Sequence, residues 1–120
     1  MEHLQVIARW KIHDGNLESF KKLADKCLAV VKAKDQNTLQ YEWYFSENQK
    51  ECVLMEKFSN SNPLMAHLAN IGELFGKLLA LADLRAEIYG EPSKELLQAT
   101  ARVSVEVYSF YQRLETATLW

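Results

Sequence analysis

The sequence predicts an α+β fold of the ferredoxin-like, split βαβ type, in which an antiparallel sheet carries helices on one of its faces. Three observations support this class. A segment with a two-residue apolar period precedes a segment with a helical period, an aromatic hairpin pattern comes next, and a second helical segment leads into another strand. The order β-α-β-β-α-β is that of the split βαβ unit, and a short α-β extension follows it.

The first strand and the first helix are defined by their apolar periods. Every second side chain from residue 4 to residue 12 is apolar, which is the period of a strand with one buried face. Asp14 or Asn16 is available as an N-cap after the turn at Gly15. Between residues 17 and 34 the apolar side chains recur every three or four residues and lysines occupy the opposite face, which predicts an amphipathic helix.

A β-hairpin is predicted between residues 39 and 58. Residues 39–45 and 52–58 are rich in aromatic and β-branched side chains, and a polar segment separates them. If the turn is centred on residues 48 and 49, Tyr41 pairs with Glu56 and Trp43 pairs with Leu54. In this register, these side chains share one face of the sheet.

A second helical segment begins at residues 61–63, where Ser61 or Asn62 is the expected N-cap and Pro63 the first helical residue. Apolar residues continue at helical spacing to residue 79, and Gly72 is expected to bend or break the helix. Residues 84–89 form the next predicted strand.

The last part of the chain is an extension of this unit. Ser93 is the expected N-cap of a short helix to about residue 101, and residues 103–111 alternate as a last strand. We interpret residues 1–120 as one domain, with a core over residues 4–91 and a helix–strand extension over residues 93–114.

Composition excludes several classes of protein. Fourteen Lys and Arg against 16 Asp and Glu give a net charge of -2, without the clustered basic surface of a nucleic-acid-binding or membrane-binding protein. No apolar run approaches the ~18 residues of a membrane span, and no signal-peptide pattern occurs. Cys27 and Cys52 lack CxxC spacing and are expected to be reduced, buried thiols. We therefore expect a soluble, cytoplasmic protein.

The face of the sheet away from the helices has mixed chemistry. It carries apolar residues among charged ones: Ile7, Tyr44, Val53 and Met55. Such a face suits a second sheet packed against it in a homodimer. A moderately apolar, solvent-exposed face is the alternative, because scattered surface apolar residues are common.

Three residues are candidates for chemistry. His67 lies on the apolar face of the second helical segment, and Glu56 is the only charge on the helix-facing side of the sheet, opposite Tyr41. A buried carboxylate needs a partner, which the Tyr41 hydroxyl, His67, an arginine or a water-filled cavity would provide. The cluster therefore indicates either a small-molecule pocket or a polar network that fixes the packing of the core. The histidines and cysteines have no metal-ligand spacing, so no metal site is predicted.

Several short segments occur in a recognisable order after the first strand and its Gly turn. They are residues 38–44 (TLQYEWY), 55–59 (MEKFS) and 66–68 (AHL). Together they resemble the antibiotic biosynthesis monooxygenase (ABM) domain family. Residues 67–75 (HLANIGELF) and 89–92 (YGEP) are similar to its quinol-monooxygenase-like members, and the resemblance covers roughly residues 4–90.

The resemblance implies a dimeric α+β barrel with a cleft between the helices and the sheet of each protomer. It implies a monooxygenase that oxygenates a small, electron-rich aromatic substrate such as a quinol with dioxygen, without a cofactor, since the deprotonated substrate reduces dioxygen itself. Carried over by position, the catalytic residue is His67. The substrate-binding residues carried over are Tyr41, Glu56, Trp10, Trp43 and Phe75.

Two other functions stay open at this point. Relatives of the same superfamily bind and degrade haem through a helix histidine, which His67 would match. Other proteins with this domain are non-catalytic, so that a small-molecule-binding stress protein is the third interpretation.

Overall fold

The computed structural model describes residues 3–115. Its helices and strands are β1 (Leu4–Ile12), α1 (Leu17–Lys34), β2 (Thr38–Phe45), β3 (Glu51–Phe58), α2 (Ser61–Asn70), α3 (Gly72–Leu81), β4 (Ala82–Tyr89), α4 (Lys94–Ala99) and β5 (Ser104–Tyr108). The two ends of the predicted domain, residues 1–2 and 116–120, lie outside the described residues.

The strands form one sheet in the order β2-β3-β1-β4-β5. The central strand β1 pairs antiparallel with β3 and β4, and β2 pairs antiparallel with β3. The predicted ferredoxin-like α+β fold is therefore confirmed. The four strands of the split βαβ unit pair antiparallel as predicted, and β5 of the extension joins β4 in parallel after the crossover through α4.

The predicted register of the hairpin is confirmed: Tyr41 pairs with Glu56 and Trp43 with Leu54. A shift of register near the start of β2 precedes these pairs. On the other side of β3, Val6 of β1 pairs with Glu56. A row across the inner face of the sheet therefore brings Tyr41, Glu56 and Val6 side by side.

Helix α1 has the predicted bounds and buries Phe20, Ala24 and Cys27 at helical spacing. Asn16, one of the two candidates, is the N-cap residue, but its side chain does not bond to the N–H groups of the first turn. The Asn16 amide instead donates to the carbonyl oxygen of Leu81, at 3.4 Å.

The second helical segment consists of two helices, as Gly72 indicated. Helices α2 and α3 meet at Ile71 and are bent by 75° relative to each other. The prediction of Ser61 or Asn62 as the N-cap of α2 is wrong. The N-cap residue is Asn60, whose side chain accepts a hydrogen bond from the backbone N–H of Asn62 at 2.8 Å. The asparagine before the expected cap thus starts the helix, and Pro63 is its third residue.

Strand β4 begins at Ala82, two residues before the predicted start, and Gly90 follows its end. Gly90 has a φ of +130°, and a Cβ there would lie 3.0 Å from the carbonyl oxygen of His3, so glycine is required. Ser93 caps α4 as predicted, its hydroxyl accepting from the N–H of Leu96. Strand β5 is shorter than predicted because its ladder stops at Tyr108, opposite the last residue of β4.

The core has two clusters of buried residues on the inner face of the sheet. The larger cluster includes Trp10, Phe20 and Leu78, and the smaller includes Phe58 and Leu96. His67 and Glu56 are buried yet belong to neither apolar cluster. Among residues 3–115, no single helix is long and apolar enough to cross a membrane, and α2 and α3 reach that length and composition only as a bent pair.

Candidate functional site

A cavity of about 70 Å³ lies between the inner face of the sheet and helices α2 and α3. All six residues that the sequence predicts as site residues line it: Trp10, Tyr41, Trp43, Glu56, His67 and Phe75. Most of the remaining wall is aliphatic, from β1, β3, β4 and the two helices. An apolar cavity with a few polar groups is the usual form of a small-molecule site.

Asp35 fixes the orientation of His67. The imidazole on α2 is 1% exposed, and its Nδ1 lies 2.7 Å from Oδ2 of Asp35, the residue at which α1 ends. An ionised carboxylate only accepts hydrogen bonds, so the Nδ1–H of His67 is the donor. In the neutral ring the lone pair is then on Nε2, the nitrogen turned away from Asp35.

Three side chains hold Asp35 as an anion. Besides His67, the Thr38 hydroxyl donates to Oδ2 at 2.8 Å and the Asn70 amide donates to Oδ1 at 2.9 Å. Burial by itself raises the pKa of Asp35, but the hydrogen bonds from Asn70, Thr38 and His67 outweigh it and bring the pKa below its ordinary value. Asp35 is therefore charged at neutral pH.

Glu56 lies on the other side of the imidazole. Its Oε1 is 3.5 Å from Nε2 of His67, and its side chain is 7% exposed. Burial, together with the negative charge of Asp35, raises the pKa of Glu56 to about 8. Burial lowers the pKa of His67, and the contact with Asp35 offsets this only in part. At neutral pH the trio is thus one carboxylate, one neutral imidazole and one neutral carboxylic acid.

This trio can accept a proton and also donate one. Nε2 of His67 is the basic atom, the Glu56 carboxyl is the acid, and Asp35 stabilises the imidazolium that forms when the ring takes a proton. His67 contacts both carboxyl groups. No set of three or more His, Cys, Asp or Glu side chains arranged to hold a metal ion occurs in the described part of the chain.

The Tyr41 hydroxyl is a further polar group at the cavity. The ring packs edge-on to the imidazole of His67, with centroids 5.2 Å apart. Within residues 3–115 the hydroxyl has no oxygen or nitrogen partner, and the thiol of Cys27 beside it is a weak one. Burial, reinforced by the Glu56 carboxyl, raises the pKa of Tyr41 above its ordinary value, so the phenol stays neutral.

Aromatic rings form another part of the cavity wall. Trp10 packs edge to face against Phe20 and Phe75, at centroid distances of 5.8 and 6.0 Å, and Trp43 packs against Phe20 at 6.2 Å. The indole Nε1 atoms of Trp10 and Trp43 are buried and have no hydrogen-bond partner among the described residues. A buried donor left unpaired costs about 1–3 kcal/mol.

The C-terminal extension closes one side of the cavity. Thr100, Val103 and Val105 contribute to its lining. Val105 of β5 pairs with Ala86 of β4, which lines the cavity too. The extension, whose place the sequence does not indicate, is therefore part of the site.

Sequence reasoning missed Asp35, Thr38 and Asn70. Asn70 lies one helical turn after His67 on the same face of α2, and that spacing was a usable signal. Asp35 lies in the polar segment between α1 and β2, and Thr38 is the first residue of β2, so apolar periodicity gives no information about either. The only signal for Asp35 is indirect: a buried histidine needs a partner for its N–H.

Comparison with known proteins gives the class of the fold. No family model and no curated protein matches the sequence. The crystal structure of MupZ from Pseudomonas fluorescens has a TM-score of 0.83 at 20% identity, over 100% of this chain and 99% of MupZ. A "putative antibiotic biosynthesis monooxygenase" from Caulobacter crescentus has a TM-score of 0.66 at 17% identity, over 72% of this chain and 87% of its own. A structure with the same description, from Nitrosomonas europaea, has a TM-score of 0.65 at 15% identity. The match covers 74% of this chain and 89% of that protein.

These similarities show that the chain has the fold of the ABM-type α+β proteins, as the resemblance of the sequence implied. At sequence identities of 15–20%, these similarities show the fold alone. The match to MupZ extends over the whole chain and so includes α4 and β5, the two elements that close the cavity.

Proposed function

We propose that the protein is a cofactor-independent monooxygenase that acts on a small, electron-rich aromatic substrate of the quinol type with dioxygen. The contact between Asp35 and His67 carries this proposal, because it turns the basic nitrogen of the imidazole away from Asp35 in a cavity with an aromatic wall. A general base needs this arrangement to take a proton from a phenolic hydroxyl. The names of the C. crescentus and N. europaea structures support the reaction class.

The reaction begins when Nε2 of His67 takes the phenolic proton. The phenolate then gives one electron to dioxygen, and the resulting substrate radical and superoxide combine to a ring-bound peroxide. The peroxide takes up the proton held by the His67 imidazolium. Loss of the ring proton from the carbon that carries the hydroperoxide then cleaves the O–O bond. The leaving hydroxide takes the Glu56 proton and departs as water, and the ring proton restores the Glu56 acid. Overall, a hydroquinone and dioxygen give a hydroxyquinone and water. The apolar wall keeps bulk water from the peroxide.

A second candidate function is proton-transfer catalysis without dioxygen, such as the isomerisation of an enolisable ketone. The neutral Glu56 carboxyl beside the His67 base favours it, since burial raises the pKa of Glu56 to about 8. An acid and a base with separate pKa values in one apolar cavity are what enolisation requires.

Haem binding is less well supported by the geometry. Nε2 of His67, the nitrogen that would bind an iron atom, lies 3.5 Å from the Glu56 carboxyl, and among the described residues no second axial ligand is seen beside it.

We also propose that two copies pack through the outer faces of their sheets. Tyr44 is 50% and Met55 36% exposed on this face, and an ion pair of 3.2 Å joins Arg9 to Glu87. Apolar side chains among charges of both signs suit an interface between two identical surfaces.

Oxygen uptake with 1,4-dihydroxynaphthalene, compared with the protein-free autoxidation rate, tests the monooxygenase. We expect His67→Ala to lower kcat by about 10²- to 10⁴-fold, the usual worth of a general base. His13→Ala is the matched control, because His13 is an exposed histidine paired with Asp83 and should leave kcat unchanged.

Two results would contradict parts of this proposal, and a third would decide for the second candidate. Uptake no faster than without protein excludes the monooxygenase. Deuterium exchange into the methyl group of acetophenone, catalysed by the wild type and lost in His67→Ala, would then support the second candidate. Unchanged turnover with a lower melting temperature in His67→Ala would make His67 a structural residue of the core.

A further inference from the structure

The two oxygens of the Asp35 carboxylate have different partners. In the described part of the chain, Oδ1 accepts a hydrogen bond from the Asn70 side-chain amide at 2.9 Å. Oδ2 accepts two hydrogen bonds, from the Nδ1–H of His67 at 2.7 Å and from the Thr38 hydroxyl at 2.8 Å. His67 and Asn70 lie one turn apart on α2, so this one helix holds both oxygens of the carboxylate.

The orientation of a carboxylate depends on the donors around it. The torsion that turns the carboxyl group of an aspartate is broad and roughly two-fold, so it does not fix the plane of the group. Donors on Oδ2 alone allow the carboxylate to turn about that oxygen, whereas a further donor on Oδ1 fixes its plane. Of the three donors to Asp35, only Asn70 binds Oδ1. The side chain of Asp35 is 2% exposed, so bulk water has little access to that oxygen.

The Asn70 amide is also suitable because it has no charge. An uncharged donor holds the carboxylate and leaves its negative charge to stabilise the imidazolium of His67. A lysine or an arginine at residue 70 would neutralise this charge and make the base weaker. Asn70 does not line the cavity, so its effect on the imidazole passes through Asp35.

We propose that Asn70 is a positioning residue for the base: through Oδ1 it holds the Asp35 carboxylate in the orientation in which Oδ2 accepts the Nδ1–H of His67. This deepens the proposed function, on which it rests for the role of His67 as the base. Thr38 has the opposite influence, because its hydroxyl shares Oδ2 with His67 and takes up part of the negative charge that the imidazole would use. The two donors therefore act on the imidazole in opposite directions.

Side-chain ¹⁵N NMR of His67 tests this assignment without turnover. The titratable groups that face the ring are Asp35, Glu56 and Tyr41, and all three stay in place. Asn70→Leu removes the donor and keeps a side chain of similar size. The pKa of His67 should fall, with a loss of about three- to tenfold in the affinity of the ring for a proton, the worth of one hydrogen bond. At neutral pH the ring should change from the Nδ1–H tautomer to a mixture of both tautomers.

Two further variants separate positioning from charge and from stability. Thr38→Val keeps the shape of the side chain and removes the second donor to Oδ2, so the pKa of His67 should rise. Ser61→Ala is the matched control on α2, since the Ser61 hydroxyl accepts from the backbone N–H of Ser93 in the extension. It should lower the melting temperature and leave the tautomer and the pKa of His67 unchanged.

Oxygen uptake gives a second readout. Asn70→Leu should lower kcat by about three- to tenfold and leave KM unchanged, because residue 70 does not line the cavity. Asn70→Ala makes the same loss with a smaller side chain and should give the same result, also where the leucine variant does not fold.

A rise of the pKa of His67 on loss of the Asn70 amide, or an unchanged Nδ1–H tautomer, would overturn the positioning role. Equal falls of this pKa in the Asn70 variants and in Thr38→Val would overturn it too, because every donor to Asp35 would then have the same effect. The tautomer is measured without substrate. A mixture of tautomers in the Asn70 variants of a protein without oxygen uptake would thus refute the monooxygenase and leave the positioning role standing.

Discussion

Replacing Glu56 by glutamine should make the protein more stable at alkaline pH. Glutamine keeps the shape of the neutral acid and cannot ionise. In the folded protein, burial and the charge of Asp35 raise the pKa of Glu56 from its ordinary 4.5 to about 8. A carboxyl with a raised folded-state pKa contributes its full stability below about pH 4.5, and this contribution is lost as the pH rises through about 8.

The size of the stability loss follows from the difference between the pKa of Glu56 in the unfolded protein, 4.5, and in the folded protein, about 8. A difference of one pH unit between the two pKa values corresponds to about 1.36 kcal/mol, so the wild type loses up to about 5 kcal/mol between pH 4.5 and pH 8. This is a large part of the total of about 5–15 kcal/mol that is typical of a domain. Glu56→Gln does not lose it, because no proton has to leave the buried group.

Urea unfolding at intervals of one pH unit from 4 to 9 measures the effect as the free energy of unfolding. The free energy of unfolding of Glu56→Gln minus that of the wild type should increase with pH and level off above about pH 8. Glu42→Gln is the control, since Glu42 is exposed on the neighbouring strand and has a lowered pKa from its hydrogen bonds with Gln40 and Tyr44. The difference in the free energy of unfolding between Glu42→Gln and the wild type should stay constant above about pH 6, where an exposed carboxyl is ionised in both the folded and the unfolded protein.

A constant difference between pH 5 and pH 8 would refute the reasoning. In that case Glu56 is ionised at pH 5 already, and it forms an ion pair with a protonated His67. The roles of acid and base that we assign to the two residues would then be reversed.

Three further predictions follow from the same structure. Light scattering at micromolar concentration should give the mass of a dimer for the wild type and of a monomer for Met55→Glu; a monomeric wild type contradicts the interface. Asp35→Ala leaves the buried His67 donor and the half-buried Thr38 and Asn70 donors without their acceptor. It should lower the free energy of unfolding by about 3 kcal/mol, so a loss under 1 kcal/mol in urea would show that the cluster is solvated. Val105→Leu extends a lining side chain into the cavity and should weaken acetophenone binding by about tenfold. Val107→Leu, on the same strand at a residue 41% exposed, should not, and equal effects of the two would contradict the role of β5.

The inner face of the sheet could be predicted because a strand has a period of two. Once the turn of the hairpin was placed, Tyr41 and Glu56 had to share a face and to pair. The helical period likewise placed His67 on the side of α2 that packs on this face. Tyr41, Glu56 and His67 follow from these two periods, whereas Trp10, Trp43 and Phe75 were implied as wall residues by the resemblance to the ABM family.

The direction of a strand is not encoded in its period. Residues 103–111 alternate in the same way whether they pair parallel or antiparallel, so this alternation does not predict that β5 joins β4 in parallel. The cap of α2 shows a similar ambiguity. Asn60, Ser61 and Asn62 are all good cap residues, and the choice among them depends on Ser61, whose hydroxyl accepts from the N–H of Ser93 at the start of the extension.

The chemistry of the site depends on a contact that no period describes. Asp35 lies 32 residues before His67 in sequence, and three donors surround its carboxylate. Burial is the main cause of the raised pKa of Glu56, and the charge of Asp35 adds to it, so Glu56 keeps its proton. The same carboxylate raises the pKa of His67 against the effect of burial. One loop residue thus makes the base stronger and helps to keep its neighbouring acid protonated.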